Sequence, residues 1–155
     1  MTPAINLAKQ AKIIYNIHAY EHDAASESYG LEASEKLSVP KEQVFKTLVV
    51  GLDSQELAVG VVPVSCMLNM KSMAKAAGAK KAVMAAQADV ERTTGYVLGG
   101  VSPLGQKKRL KTVIDASAHN HATIYVSAGR RGLEIELCPS DLAKLVSGTF
   151  AEIAQ

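Results

Sequence analysis

The pattern of apolar and polar positions divides the chain into short elements of both kinds. Thr2-Pro3 reads as a helix N-cap followed by the first helical residue. Ala4, Leu7, Ala8 and Ala11 then recur at helical spacing. Residues 13–20 predict a strand, 30–37 a short helix stopped near Pro40, and 44–52 a second strand joined through Asp53-Ser54-Gln55 to 57–64 as a hairpin. Residues 69–77 predict a helix, with Gly78 just past its C-cap. A short run at 82–85 precedes a helix near 89–93. Strands follow at 112–115, 123–127 and 133–137, and Ser140-Asp141 caps a last helix carrying Leu142, Leu145 and Val146. No repeat or linker interrupts the order. The reading is an α+β fold in one compact domain over residues 1–155.

Composition narrows the class of function rather than naming it. The chain is 48% hydrophobic and 21% charged, ordinary for a globular domain of 155 residues. A net charge of +2 does not predict nucleic-acid binding, so any RNA contact must come from local clustering. No leader and no apolar run long enough for a bilayer is seen, so no membrane is expected and the cytoplasm is the expected compartment. Cys66 and Cys138 have no metal-ligand spacing and read as small buried hydrophobes. His18 and His22 flank Tyr20, and His119 and His121 form a second pair. Without carboxylates or thiols at metal-site spacing, no metal or other cofactor is expected.

Three segments carry candidate chemistry. Lys46 lies on a strand apolar on both parities, with Val44, Leu48 and Val50 against Phe45 and Val49. Such a lysine either snorkels to solvent or meets an anion in a cleft. The run Thr94-Gly95-Tyr96-Val97-Leu98-Gly99-Gly100-Val101-Ser102-Pro103-Leu104-Gly105 reads as an apolar strand-like stretch ending in a glycine turn. Amides near Gly99, Gly100 and Val101 suit an oxyanion, Pro103 fixes the turn and Ser102 offers a hydroxyl; a plain tight turn is the other reading. Lys107, Lys108, Arg109 and Lys111 follow at once, either as a solvated face or as phosphate contacts that do not read bases. In Ser127-Ala128-Gly129-Arg130-Arg131-Gly132, Arg130 and Arg131 extend that basic rim. The strand after it alternates Leu133, Ile135 and Leu137 with Glu134 and Glu136, which predicts that both glutamates face away from the core.

Taken in order, Met1-Thr2-Pro3-Ala4, Phe45-Lys46-Thr47-Leu48, the glycine run and Tyr125-Val126-Ser127-Ala128-Gly129-Arg130-Arg131-Gly132-Leu133 resemble the YbaK/EbsC family over nearly the whole chain. These are free-standing aminoacyl-tRNA deacylases related to the editing insertion of bacterial prolyl-tRNA synthetases. The resemblance implies a mixed-sheet barrel core with helices outside it. It implies deacylation of Cys-tRNA(Pro), with tRNA(Pro) carrying cysteine as substrate, prolyl-tRNA synthetase as partner, and no metal or DNA. It makes Lys46 the required lysine near the 3′-terminal ribose, with Gly99, Gly100 and Ser102 beside it. It places Tyr20, Val101, Pro103, Ser127, Gly129 and Glu134 around the substrate. Ala128 stands where relatives often have glycine, and Glu134 where several have aspartate. The sequence offers no protein nucleophile. In the YbaK branch the substrate's own thiol attacks its ester, which the resemblance extends to this chain. A deacylase for Ala-tRNA(Pro), and a non-catalytic tRNA- or synthetase-binding module, are the alternatives.

Overall fold

The computed structural model describes residues 1–26 and 28–155. Helix α1 (Pro3–Ala11) begins at Thr2, whose hydroxyl oxygen accepts the Ile5 N–H at 3.2 Å and whose O–H donates to the Ala128 carbonyl. One side chain thus caps the helix and pins it to a strand 126 positions away. Strand β1 (Tyr15–Ala19) and helix α2 (Tyr29–Leu37) follow, then the hairpin of β2 (Phe45–Leu52) and β3 (Leu57–Pro63). Helix α3 (Met70–Ala76) takes Asn69 as N-cap, and Gly78 beyond it has φ +77°. Then come β4 (Ala82–Met84), α4 (Gln87–Thr94), β5 (Lys111–Asp115), a 3-10 turn (Ala116–Asn120), β6 (Ile124–Arg130), β7 (Leu133–Leu137), α5 (Pro139–Val146) and β8 (Thr149–Ala151).

The strands form two sheets rather than the barrel expected from the sequence. One is antiparallel, in the order β1-β7-β6; the other is mixed, in the order β4-β2-β3-β5-β8. A single parallel bridge, Val44 to Tyr125, joins their ladders, so neither sheet closes on itself. The main core lies between the sheets, from Phe45, Val49 and Val61 across to Val126, Leu133 and Ile135. Val50, Val62 and Val113 turn to the opposite face and pack with Met73 of α3 and Ile153. Strand β2 is therefore covered on both faces, as its apolar run on both parities requires.

Local differences from the sequence reading have local causes. Residues 96–98 form no strand: Tyr96 is buried, but Val97 and Leu98 are exposed in a turn after α4. Pro139 starts α5 after Cys138, so Ser140 and Asp141 fall inside the helix instead of capping it. Cys66 and Cys138 are half-buried rather than core hydrophobes. Strand β6 runs on to Arg130 through an irregularity after Ser127, past the expected end at 127. The 3-10 turn and β8 were not expected at all.

Candidate active site

A cavity of about 530 Å³ opens where the sheets diverge. Phe45, Lys46, Thr47 and Leu48 of β2 form its floor. Ser127, Arg131 and Glu134 come from the β6–β7 region, Ser28, Tyr29 and Gly30 from the start of α2, and Leu98, Gly99 and Val101 from the loop after α4. The fold thus brings Lys46, Gly99, Val101, Ser127, Glu134 and Arg131 to one place from positions far apart in the chain.

Lys46 is half-buried, and burial holds its ammonium below the usual lysine pKa while nearby Cys66 opposes that shift. It does not lie in the core; it lines the cleft, where an anion would oppose that downward shift. Glu134 is only 7% exposed, and burial lifts its carboxyl to about 8. Its carboxyl oxygens have no hydrogen-bond partner among the described residues. Glu134 does face away from Leu133 and Ile135, yet that side of the sheet is roofed by the cavity, so the alternation gave the face and missed the burial. Ser127 is half-buried, its Oγ accepting the Gly129 N–H at 3.2 Å. Thr47 was not singled out as a site residue, although a polar residue in an apolar strand was a signal. Its Oγ1 is buried with no partner among the described residues. It also borders a smaller, mostly apolar cavity of about 210 Å³ that shares Leu48, Leu98 and Val101 with the larger one.

The glycine loop forms one wall of the cavity, with a particular geometry. Gly99 has φ +88°, and a Cβ there would stand 2.6 Å from Arg131 Nε and 2.8 Å from Tyr29 Cε2. At Gly100 a Cβ would lie 2.7 Å from the Arg130 Cα, so the two backbones touch. The Gly100 N–H donates to the Val97 carbonyl at 2.9 Å, which removes it from the expected oxyanion donors. The amides of Gly99 and Val101 have no acceptor among the described residues and belong to cavity-lining residues.

Other expected site residues lie outside the lining of this cavity. Ser102 is fully buried and its Oγ accepts the Leu104 N–H at 3.2 Å, away from the cavity lining. Pro103 lines a separate cavity of about 200 Å³ with Leu7 and Arg109. Gly129, at φ +112°, packs beside Tyr96 and Thr2. Tyr20 is outside the cavity lining and packs against Val44 and Tyr125; burial first, then nearby Glu134 and Glu32, push its hydroxyl to about 12. None of Lys107, Lys108, Arg109, Lys111 or Arg130 lines the cavity. The Lys107 stem packs against Gly95, Arg109 Nη1 donates to Ser147 Oγ at 3.0 Å, and Lys111 Nζ donates to the Ala77 carbonyl at 2.9 Å. Lys108 and Arg130 are exposed.

Among the described residues no cluster of His, Cys, Asp and Glu is placed to hold a metal. His18 pairs with Glu136 at 2.9 Å and His22 with Glu32 at 2.6 Å, each committed to one carboxylate. His119 lies against the Phe150 ring, their centroids 4.0 Å apart.

Residues 26–145 match the family model described as the aminoacyl-tRNA editing domain. The chain is 39% identical, over 98% of its length and 92% of the relative's, to the Enterococcus faecalis protein named "Putative Cys-tRNA(Pro)/Cys-tRNA(Cys) deacylase EbsC". Its fold matches a crystal structure of a hypothetical protein at a TM-score of 0.88, with 23% identity and coverage of 99% of this chain and 100% of the other. It also matches the "Crystal structure of a putative trans-editing enzyme for prolyl tRNA synthetase" at 0.84, with 18% identity and coverage of 100% and 99%. Motifs, fold and cavity agree, and the chain belongs to the family of aminoacyl-tRNA editing domains, as its resemblance to YbaK/EbsC implied.

Proposed function

We propose that this protein is a cytoplasmic deacylase that cleaves the aminoacyl ester of mischarged tRNA in trans, with Cys-tRNA(Pro) as its substrate. The observation that carries the reading is the meeting of Lys46, Glu134, Gly99 and Val101 in the lining of one cavity. The 39% identical relative named for Cys-tRNA(Pro) and Cys-tRNA(Cys) supports the same substrate class.

In this mechanism Lys46 neutralises the 3′-terminal ribose-phosphate and positions the ester. The substrate's thiol attacks its own ester carbonyl: a C–S bond forms, the C–O bond to the ribose breaks, and the thiol proton passes to the departing ribose oxygen. Free tRNA leaves together with a cyclic thioester, which water then opens. The Gly99 and Val101 amides donate to the oxyanion that develops during attack. Glu134, protonated at neutral pH, stands in the same lining as a hydrogen-bond donor. Selectivity follows from chemistry, because alanine and proline esters carry no thiol.

The modest size of the basic run supports leaving tRNA identity to prolyl-tRNA synthetase. The free protein then treats Cys-tRNA(Pro) and Cys-tRNA(Cys) alike, and added synthetase favours the first. The test is deacylation of Cys-, Ala- and Ser-tRNA(Pro) by wild type and Lys46→Ala. Expected is rapid loss of cysteine alone, slowed about 100-fold or more in the variant. Equal hydrolysis of the serine ester overturns the thiol step and favours activated water. Preferred hydrolysis of the alanine ester makes the protein an Ala-tRNA(Pro) deacylase. No hydrolysis of any ester, with synthetase present, leaves a binding module.

A further inference from the structure

Arg131 does something other than extend a basic rim. Its guanidinium carbon sits 4.5 Å from the centroid of the Tyr29 ring. Its Nε and Nη2 both donate to the Leu98 carbonyl, at 3.2 and 2.9 Å. Three segments therefore meet at one side chain: the start of α2, the loop after α4 and the β6–β7 turn. Tyr29 is backed in turn by the His22 ring, 5.5 Å away between centroids, and His22 is bonded to Glu32 of α2. Val97 and Leu98 are 57% and 41% exposed, so apolar burial holds this part of the loop only weakly. Gly99 gives the guanidinium its space, because any Cβ there would collide with both partners.

We propose that Arg131 is a positioning residue: its guanidinium ties the 97–100 loop to Tyr29 and thereby fixes the Gly99 and Val101 amides at the cavity. The catalytic half of this inference rests on the deacylase reading, in which those amides receive the oxyanion. A phosphate contact needs positive charge at this position. A tie needs a planar fork to span the carbonyl and a flat face to stack on the ring. Lysine supplies the charge and neither of the others.

The two roles separate in a comparison of wild type with Arg131→Lys, Tyr29→Phe and Tyr29→Leu. Two measurements are made: deacylation of Cys-tRNA(Pro) between about 50 and 200 mM salt, and hydrogen exchange at the amides of residues 98–101. Arg131→Lys and Tyr29→Leu should lower kcat about ten- to a hundredfold with little change in KM. Both should speed exchange in the loop and leave the salt dependence of kcat/KM as in wild type. Tyr29→Phe, which keeps the ring face, should leave hydrogen exchange at residues 98–101 as in wild type. Wild-type kcat in Arg131→Lys overturns the tie. So does a salt slope shallower by about one in an added Arg131→Gln variant, which removes the charge, because that is the mark of a lost phosphate contact. If wild type cleaves no ester, the deacylase reading fails, and exchange alone decides the tie: unchanged rates in Arg131→Lys overturn it, faster rates uphold it.

Discussion

Asp115 and Glu134 are both buried carboxyl groups, 5% and 7% exposed, and the protein treats them in opposite ways. Asp115 closes β5. Its Oδ1 accepts the N–H groups of Ile153 and Ala154 at 2.9 Å each, and its Oδ2 accepts from the Ser117 N–H and hydroxyl. Burial pushes its pKa up, but these hydrogen bonds outweigh burial and hold the carboxyl below the ordinary aspartate range. Glu134 has the burial without the donors, so its pKa rises to about 8. One carboxylate ties down the C-terminal segment and is satisfied by it. The other is left open to a cavity, which is where a ligand would supply what the fold withholds.

The largest expected effect tests the satisfied side. Asp115→Ala removes the acceptor of the buried Ile153 N–H and the part-buried Ala154 N–H near the C-terminus and should cost about 3–5 kcal/mol in urea unfolding. The folded fraction should keep its deacylation rate. A loss below about 1 kcal/mol would mean that the C-terminal segment is held by packing, and the contrast with Glu134 would collapse.

The next effect tests the open side, through pH. The folded pKa of Glu134, about 8, stands above its ordinary value of 4.5. Its protonated form therefore adds stability that is complete below about 4.5 and is lost as pH rises through about 8. Asp115, with a lowered pKa, runs the other way: its contribution is present above the ordinary aspartate value and fades as pH falls. Wild type should accordingly lose stability relative to Glu134→Gln between those two limits. Thermal unfolding of both proteins across the window checks this, and a difference independent of pH would show that Glu134 is solvated after all.

The smallest effect concerns Thr47, whose buried hydroxyl is the neutral counterpart of Glu134. Thr47→Val removes an unpaired polar atom and should raise stability by up to about 1 kcal/mol. If the cavity uses that hydroxyl, kcat/KM should fall several-fold at the same time. Opposite movement of melting temperature and activity is the sign of a group kept for function; a fall in both would make Thr47 an ordinary packing residue.

The local reading of the chain worked where the cause is local. The Thr2 cap, the Pro3 start of α1, the Gly78 stop of α3 and the alternation of Leu133–Leu137 all follow from torsions and faces within a few residues. It was less informative where short irregular pieces depend on distant partners. Strand β8 exists because Thr149–Ala151 pairs in parallel with Val113–Asp115, and the 3-10 turn begins at an Asp115 side chain committed elsewhere in the fold. Residues 96–98 read as strand-like because they follow one another as apolar residues. No neighbouring strand lies there to pair with them, and only Tyr96 finds the core, its hydroxyl donating to the Leu104 carbonyl at 2.6 Å.

The candidate site divides along the same line. Motif order pointed to Lys46, Gly99, Val101, Ser127 and Glu134, and all five line one cavity. It also pointed to Ser102, Pro103 and Gly129, which lie outside that lining, and to Gly100, whose amide is spent in a turn. Tyr29 went unremarked as a site residue because nothing in its immediate neighbours distinguishes a cavity wall from an ordinary surface, whereas Thr47, polar in an apolar strand, carried a signal that was passed over.

By itself the sequence determined the elements, the family and the set of residues from which a site could be assembled, since these depend on short-range periodicity and on motif order. Only the tertiary structure decided which of those residues are still available. Hydrogen-bond partners such as Arg131 with Leu98, or Asp115 with Ile153, lie 33 and 38 positions apart. Whether a buried polar group is satisfied or left waiting is therefore settled by packing, after every local preference has been met.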